Sequence, residues 1–259
     1  MSQIVSIHSF RGGTGKSNIT ANLAALIALR GKRVGIVDTD IQSPGIHVMF
    51  GLDHQSMGHT LNDFLYGKCT IEEVAILVGE QANKGSTPSQ LRDQKLWLIP
   101  ASIDGVEIGR ILREGYDVNL LNQGLHTLRK SLDLDYLFID THPGLNDETL
   151  LSLAISDTLL LIMRPDQQDF QGTIVTVDVA QSLEVPHLLL VVNKALTKYD
   201  FKQMKADIET VYQVPVAGVL PLSEELVDLA SGDLFALHAP QHAWSQTLQS
   251  IAGQLLEGL

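Results

Sequence analysis

The chain has one cysteine, Cys69, so an internal disulfide is excluded, as are metal and iron–sulfur sites built on paired cysteines within one chain. It has no uninterrupted apolar run of the ~18 residues that a membrane span needs. The longest candidate, Ala21 to Leu29, is broken by Asn22 and stopped by Arg30. The first residues lack the positive charge of a secretory leader, so a cytoplasmic setting is expected. Basic residues are scarce: 18 Lys and Arg stand against 30 Asp and Glu, for a net charge of −12. Broad electrostatic binding to DNA or to an anionic membrane needs clustered Lys and Arg, and is disfavoured. After Lys205 there is no Lys or Arg at all.

The rest of the composition is ordinary for a globular chain of 259 residues, long enough for a large core. Apolar runs alternate with stretches of helical periodicity. Strands are predicted at Ile4–Ile7, Arg33–Val37, Leu96–Pro100, Tyr136–Asp140, Thr158–Met163, His187–Val192 and Val216–Leu220. Helices are predicted at 16–30, 61–65, 71–78, 106–112, 120–132, 170–183, 223–230 and 242–256. Alternation of this kind implies a doubly wound, mostly parallel α/β sheet within one domain, residues 1–259. The run Ala82–Gln94, rich in turn formers, reads as a mobile surface excursion.

The most specific stretch is Arg11-Gly12-Gly13-Thr14-Gly15-Lys16-Ser17, set between the first strand and the first helix. Glycines there let backbone N–H groups converge on phosphate oxygens at a helix N-terminus. Lys16 supplies a charge for the β- and γ-phosphates, the Ser17 hydroxyl a ligand for Mg²⁺, and Asn18 stands next in the first turn. The pattern G-x-x-x-x-G-K-[ST] fails at its first glycine, where Phe10 stands. Asp38 and Asp40 come after the second strand, and alternation puts both carboxylates on one side. The other reading is a polar strand end with a helix cap. Asp140 ends a third buried strand and is a candidate Mg²⁺ ligand beside Ser17 and Asp38.

The form x-G-G-x-G-K-[ST] resembles the deviant phosphate loop of the MinD/ParA family of ATPases, over about residues 3 to 230. The resemblance implies ATP and Mg²⁺ as ligands and an ATP-sandwiched homodimer. In that family a lysine stands at Arg11 and reaches the other subunit's phosphates; Arg11 keeps the charge. The resemblance gives Asp40 the attacking water and Gly144 a backbone N–H on the γ-phosphate. It gives Asn193 the adenine edge and the Pro221 segment the other side of the base, although Asn193 also suits a simple turn. His142 stands where the family has a small residue or proline; a functional histidine and a plain loop residue are both open. The expected activity is slow, partner-stimulated hydrolysis that positions cargo through a protein partner or adaptor. A metabolic enzyme of the dethiobiotin-synthetase type and a non-hydrolysing ATP-binding scaffold are the alternatives. Lys194, Lys198, Lys202 and Lys205 lie near helical spacing and read as a basic face or as a solvated one. The C-terminal helix lacks the basic residues of a membrane-inserting tail and reads as a packed closing helix.

Overall fold

A computed structural model describes residues 2–82 and 87–258. Eight strands form one sheet: β1 Gln3–His8, β2 Val34–Asp38, β3 Ile76–Leu77, β4 Leu96–Ile99, β5 Tyr136–Asp140, β6 Thr158–Met163, β7 His187–Ala195 and β8 Val216–Pro221. Their order is β3-β4-β2-β5-β1-β6-β7-β8. Every pair is parallel except the short β3–β4 edge. Seven helices among the described residues run eight residues or more: α1 Lys16–Ala28, α2 Gly105–Glu114, α3 Val118–Ser131, α4 Asp147–Ala154, α5 Gln167–Ser182, α6 Phe201–Tyr212 and α7 Ala243–Glu257.

The strands are apolar on both faces because helices cover both. Val5, Ile7, Ile36, Phe138, Leu160 and Val191 join the core under α1 and α7. Their neighbours Ile4, Val37, Leu137 and Ile139 point the other way, under α2 and α3. Leu161, Met163, Leu190 and Val192 do the same under α5 and α6. The doubly wound sheet expected from the alternation is therefore the fold observed. No described helix is long and apolar enough to cross a membrane.

Three expectations are corrected. The helix expected over 71–78 stops at Val74 and the strand β3 takes its second half, while the helices α4 and α6 have no counterpart among the predicted elements. Residues 83–86 of the supposed mobile excursion lie outside the described residues, and the segment after them is anchored. Thr87 is buried with its hydroxyl on the Phe50 carbonyl at 2.6 Å, and Leu91 is fully buried. The four lysines do not share a face, since Lys194 lies in β7 and only Lys202 and Lys205 lie in α6. The helix α7, by contrast, packs as expected. It buries Trp244, Leu248, Ile251 and Leu255 against α1 and β8, so its apolar stripe is spent inside the protein.

Candidate nucleotide site

The site forms where β1, β2 and β5 end side by side. Ile7 is in register with Asp140, and Asp140 with Asp38. The crossover that leaves β1 runs to β2 on one side, and the one that leaves its neighbour β5 runs to β6 on the other, which opens the crevice where such sheets bind ligands. The loop from Ser9 to Gly15 fills it and leads into α1. Gly13 and Gly15 have φ of +79° and +95°, a region that a side chain disfavours. A Cβ on Gly15 would also sit 2.5 Å from Asn193 Nδ2. Phe10, where the ordinary loop has glycine, lays its ring on the flat surface of Gly172 in α5; a Cβ there would be 2.0 Å from the ring. The departure at Phe10 is thus matched by a glycine 162 positions on in the chain.

Lys16 is buried at the start of α1, 6% exposed, beside Asp140. Asp38 and Asp140 are both fully buried. Burial pushes Asp38 well above the usual carboxylate range, and the charges of Asp140 and Asp40 push it further. Burial also raises Asp140, against the opposing pull of the Lys16 ammonium and the Ser17 hydroxyl. Asp140 Oδ1 accepts from Thr20 Oγ1 at 3.1 Å, while Oδ2 is buried without a partner. Asp38 accepts from Asp40 N at 3.1 Å and Gly45 N at 3.3 Å. Asp40 Oδ1 accepts from His142 Nδ1 at 2.8 Å and from Ser43. Two buried carboxylates beside one lysine, with one oxygen unpaired, form a donor set that fits Mg²⁺ with phosphate. Among the described residues, no group of three or more His, Cys, Asp or Glu side chains is placed to hold a metal ion by itself.

The other expected residues are placed less directly. Arg11 leaves the loop and its guanidinium bonds Gln168 at the start of α5. The Gly144 N–H is engaged by the Ser9 carbonyl at 3.1 Å, so this loop must move for that N–H to meet a phosphate. Asn193 turns inward: Nδ2 donates to the Thr14 carbonyl at 2.8 Å, and Oδ1 accepts from Trp244 Nε1 at 3.4 Å. Both ends of its amide are occupied, and it braces the phosphate loop from behind. Pro221 closes β8, paired with Ala195.

Three participants escape a reading of the sequence. Lys194 takes φ of +61° where the β7–β8 register shifts, and its Nζ donates to the Gly13 carbonyl at 2.7 Å. Trp244 ties α7 to Asn193. His8 is fully buried at the end of β1, with Nδ1 on Thr141 Oγ1 at 2.7 Å. A polar residue ending an apolar strand just before the loop is its available signal. Burial, then the Lys16 and His142 charges, lower His8 from 6.5 to about 3. Between those values protons bind the unfolded chain in preference, so falling pH removes stability. One such group costs about 1.4 kcal/mol per pH unit. His8→Asn keeps a donor for Thr141 and should lose this slope. Urea unfolding at pH 7 and pH 5 reads it: the wild-type loss should exceed the variant's by about 2 kcal/mol. Equal losses would place the proton elsewhere.

The ParA family model, described as "NUBPL iron-transfer P-loop NTPase", matches residues 1–256. The chain belongs to this family. An uncharacterised ATP-binding protein of Methanocaldococcus jannaschii is 28% identical over 99% of this chain and 88% of its own length. A putative septum site-determining protein MinD of Guillardia theta is 25% identical, over 100% of this chain and 91% of its own. The cell-division ATPase MinD of Pyrococcus furiosus superposes with a TM-score of 0.82 at 22% identity, covering 99% of each chain. The MinD of Pyrococcus horikoshii, solved with Mg-ADP, gives 0.81 at 21%, covering 100% of this chain and 98% of its own.

Proposed function

We propose that this chain is an ATP-driven switch. It binds Mg²⁺-ATP at Gly12–Ser17, closes two copies over the nucleotides, hydrolyses ATP slowly, and uses the cycle to position a cargo through a protein partner. The observation that carries the reading is the buried pair Asp38–Asp140, with Lys16 beside Asp140 and Asp140 Oδ2 unpaired. A carboxylate pair held in this way is costly unless a cation and a charged ligand complete it. Mg²⁺, when bound, neutralises charge on the β- and γ-phosphates. Loop N–H groups and Lys16 hold the phosphates, and Asp40 accepts a hydrogen bond from the attacking water. The water oxygen bonds the γ-phosphorus, the bridging oxygen leaves with ADP, and the proton released ends on the product phosphate.

Arg11 is the group suited to reach the partner's phosphates, because its charge lies at the loop mouth and its planar fork binds phosphate in a bidentate way. Its bond to Gln168 then has to open on closure. A septum-positioning relative supports positioning, and the lone Cys69, whose thiol is raised by burial, argues against the iron transfer for which the family model is described. Light scattering tests the reading. Wild-type protein should double in mass with Mg²⁺ and a slowly hydrolysed ATP analogue, and stay single with Mg²⁺-ADP. Arg11→Ala should stay single, yet bind the same analogue within about threefold of wild type, because the loop N–H groups and Lys16 that hold the nucleotide remain in place. A double-mass Arg11→Ala protein would remove Arg11 from the interface. A wild type that binds nucleotide and never doubles would remove the switch.

A further inference from the structure

Asp40 and His142 are 102 positions apart, in the loops that leave β2 and β5. Nothing in a sequence pairs them. In the fold, Asp40 Oδ1 accepts three bonds: from His142 Nδ1 at 2.8 Å, from Ser43 N at 3.3 Å and from Ser43 Oγ at 3.2 Å. The two from Ser43 are long and come from the same loop. The histidine bond is the short one and comes from the other loop. Among the described residues no donor bonds Oδ2. Both side chains are largely shielded, with 10% of Asp40 and 21% of His142 exposed. A carboxylate oxygen only accepts, so this contact puts the hydrogen on Nδ1.

We infer that His142 is a positioning residue for hydrolysis: it holds Asp40 Oδ1 so that Oδ2 faces the attacking water. This rests on the ATPase reading above. The terminal torsion of an aspartate is soft and roughly two-fold, so the Ser43 bonds alone leave the carboxylate free to swing. Reaction geometry is less forgiving: misplacement by an ångström costs about 10²-fold in rate. The histidine also makes the loop after β5 a part of the setting of Asp40. That loop carries Gly144, whose N–H must leave the Ser9 carbonyl to meet phosphate. Phosphate engagement by one loop is thereby linked to the aim of the carboxylate on the other.

The test compares steady-state Mg²⁺-ATP turnover and equilibrium ATP affinity in wild type, His142→Ala, His142→Asn, Asp40→Ala and the double variant Asp40→Ala/His142→Ala. His142→Ala should lower kcat about 10- to 100-fold and leave ATP affinity within about twofold. In His142→Asn the amide nitrogen takes the place of Nδ1, and turnover should return to within about threefold of wild type. The double variant should be no slower than Asp40→Ala, because the histidine acts only through the aspartate. If the alanine variant does not fold, His142→Leu, which keeps bulk and lacks a donor, carries the same expectation. Three results overturn the inference and leave the ATPase reading standing: normal turnover in His142→Ala beside an inactive Asp40→Ala, an asparagine variant as slow as the alanine one, or a further loss in the double variant. Normal turnover in Asp40→Ala overturns the inference together with the role of Asp40, whereas a wild type that binds ATP without turning it over overturns the ATPase reading.

Discussion

Lys16→Ala should lose ATP affinity and turnover together, by about 10²–10³-fold in kcat/KM. The loss is large because Lys16 serves two partners. It is 6% exposed at the N-terminus of α1, where its ammonium offsets the burial of Asp140 and would meet the β- and γ-phosphates. Alanine removes the cation and leaves Asp38 and Asp140 buried together without it. Both carboxyls are already raised, and Asp140 loses the charge that opposes its rise, so it takes up a proton more readily still; a protonated carboxyl is a poor Mg²⁺ ligand. Metal and phosphate binding therefore fail as one. Titration of a fluorescent ATP analogue, with and without Mg²⁺, measures this. Wild-type affinity should fall when Mg²⁺ is withdrawn, whereas the variant's weak affinity should barely respond to the metal. Unchanged affinity and turnover in the variant would dissolve the phosphate-loop assignment. Lys16→Arg separates charge from shape: the charge is kept, but a planar fork does not fit the space of a point charge, so recovery should be partial at best.

Much of the fold is legible in the amino-acid order, for a physical reason. A parallel strand buried on both faces must be apolar throughout, so Tyr136–Asp140 and Thr158–Met163 announce themselves and keep their boundaries. A polar residue that ends such a strand is conspicuous, and Asp38 and Asp140 stand out in this way. The two-residue strand β3 has no periodicity to read. The helix α6 is rich in Lys, Asp and Glu and buries only Ile208 and Tyr212 in full, so its pattern resembles a run of charge. Side-chain direction is harder still. Asn193 sits at the expected strand end, yet its amide is held between Thr14 and Trp244, and nothing at Asn193 itself signals a tryptophan 51 positions later. His142 has no local pattern to set it apart from a plain loop residue, because its partner is a tertiary one. Local pattern carries the elements and the loop chemistry, while pairings across the sheet edge come only from the fold.

Asp40→Ala should bind ATP and fail to hydrolyse it, with turnover at least about 10²-fold below wild type. The phosphate loop, Lys16, Asp38 and Asp140 all stay in place, so binding has no reason to weaken. Asp40 is also one of the charges that raise Asp38. Its removal eases Asp38 toward the ionised form that Mg²⁺ prefers, so ATP affinity should hold or rise slightly. The protein would then collect in its nucleotide-bound state. Molecular mass in solution, taken without nucleotide and then with Mg²⁺-ATP, shows whether that state is a closed pair. Wild type cycles, so its mass should lie between one subunit and two and drift toward one as ATP is consumed. The variant should move to two subunits and remain there, with intact ATP recovered from the fraction. If the variant holds ATP at single mass, the trapped state is not a dimer, and ATP binding would serve a substrate-transforming enzyme or a static scaffold. If it hydrolyses ATP at the wild-type rate, the water is aimed by some other group, and the His142 bond would do no more than brace one loop against the other.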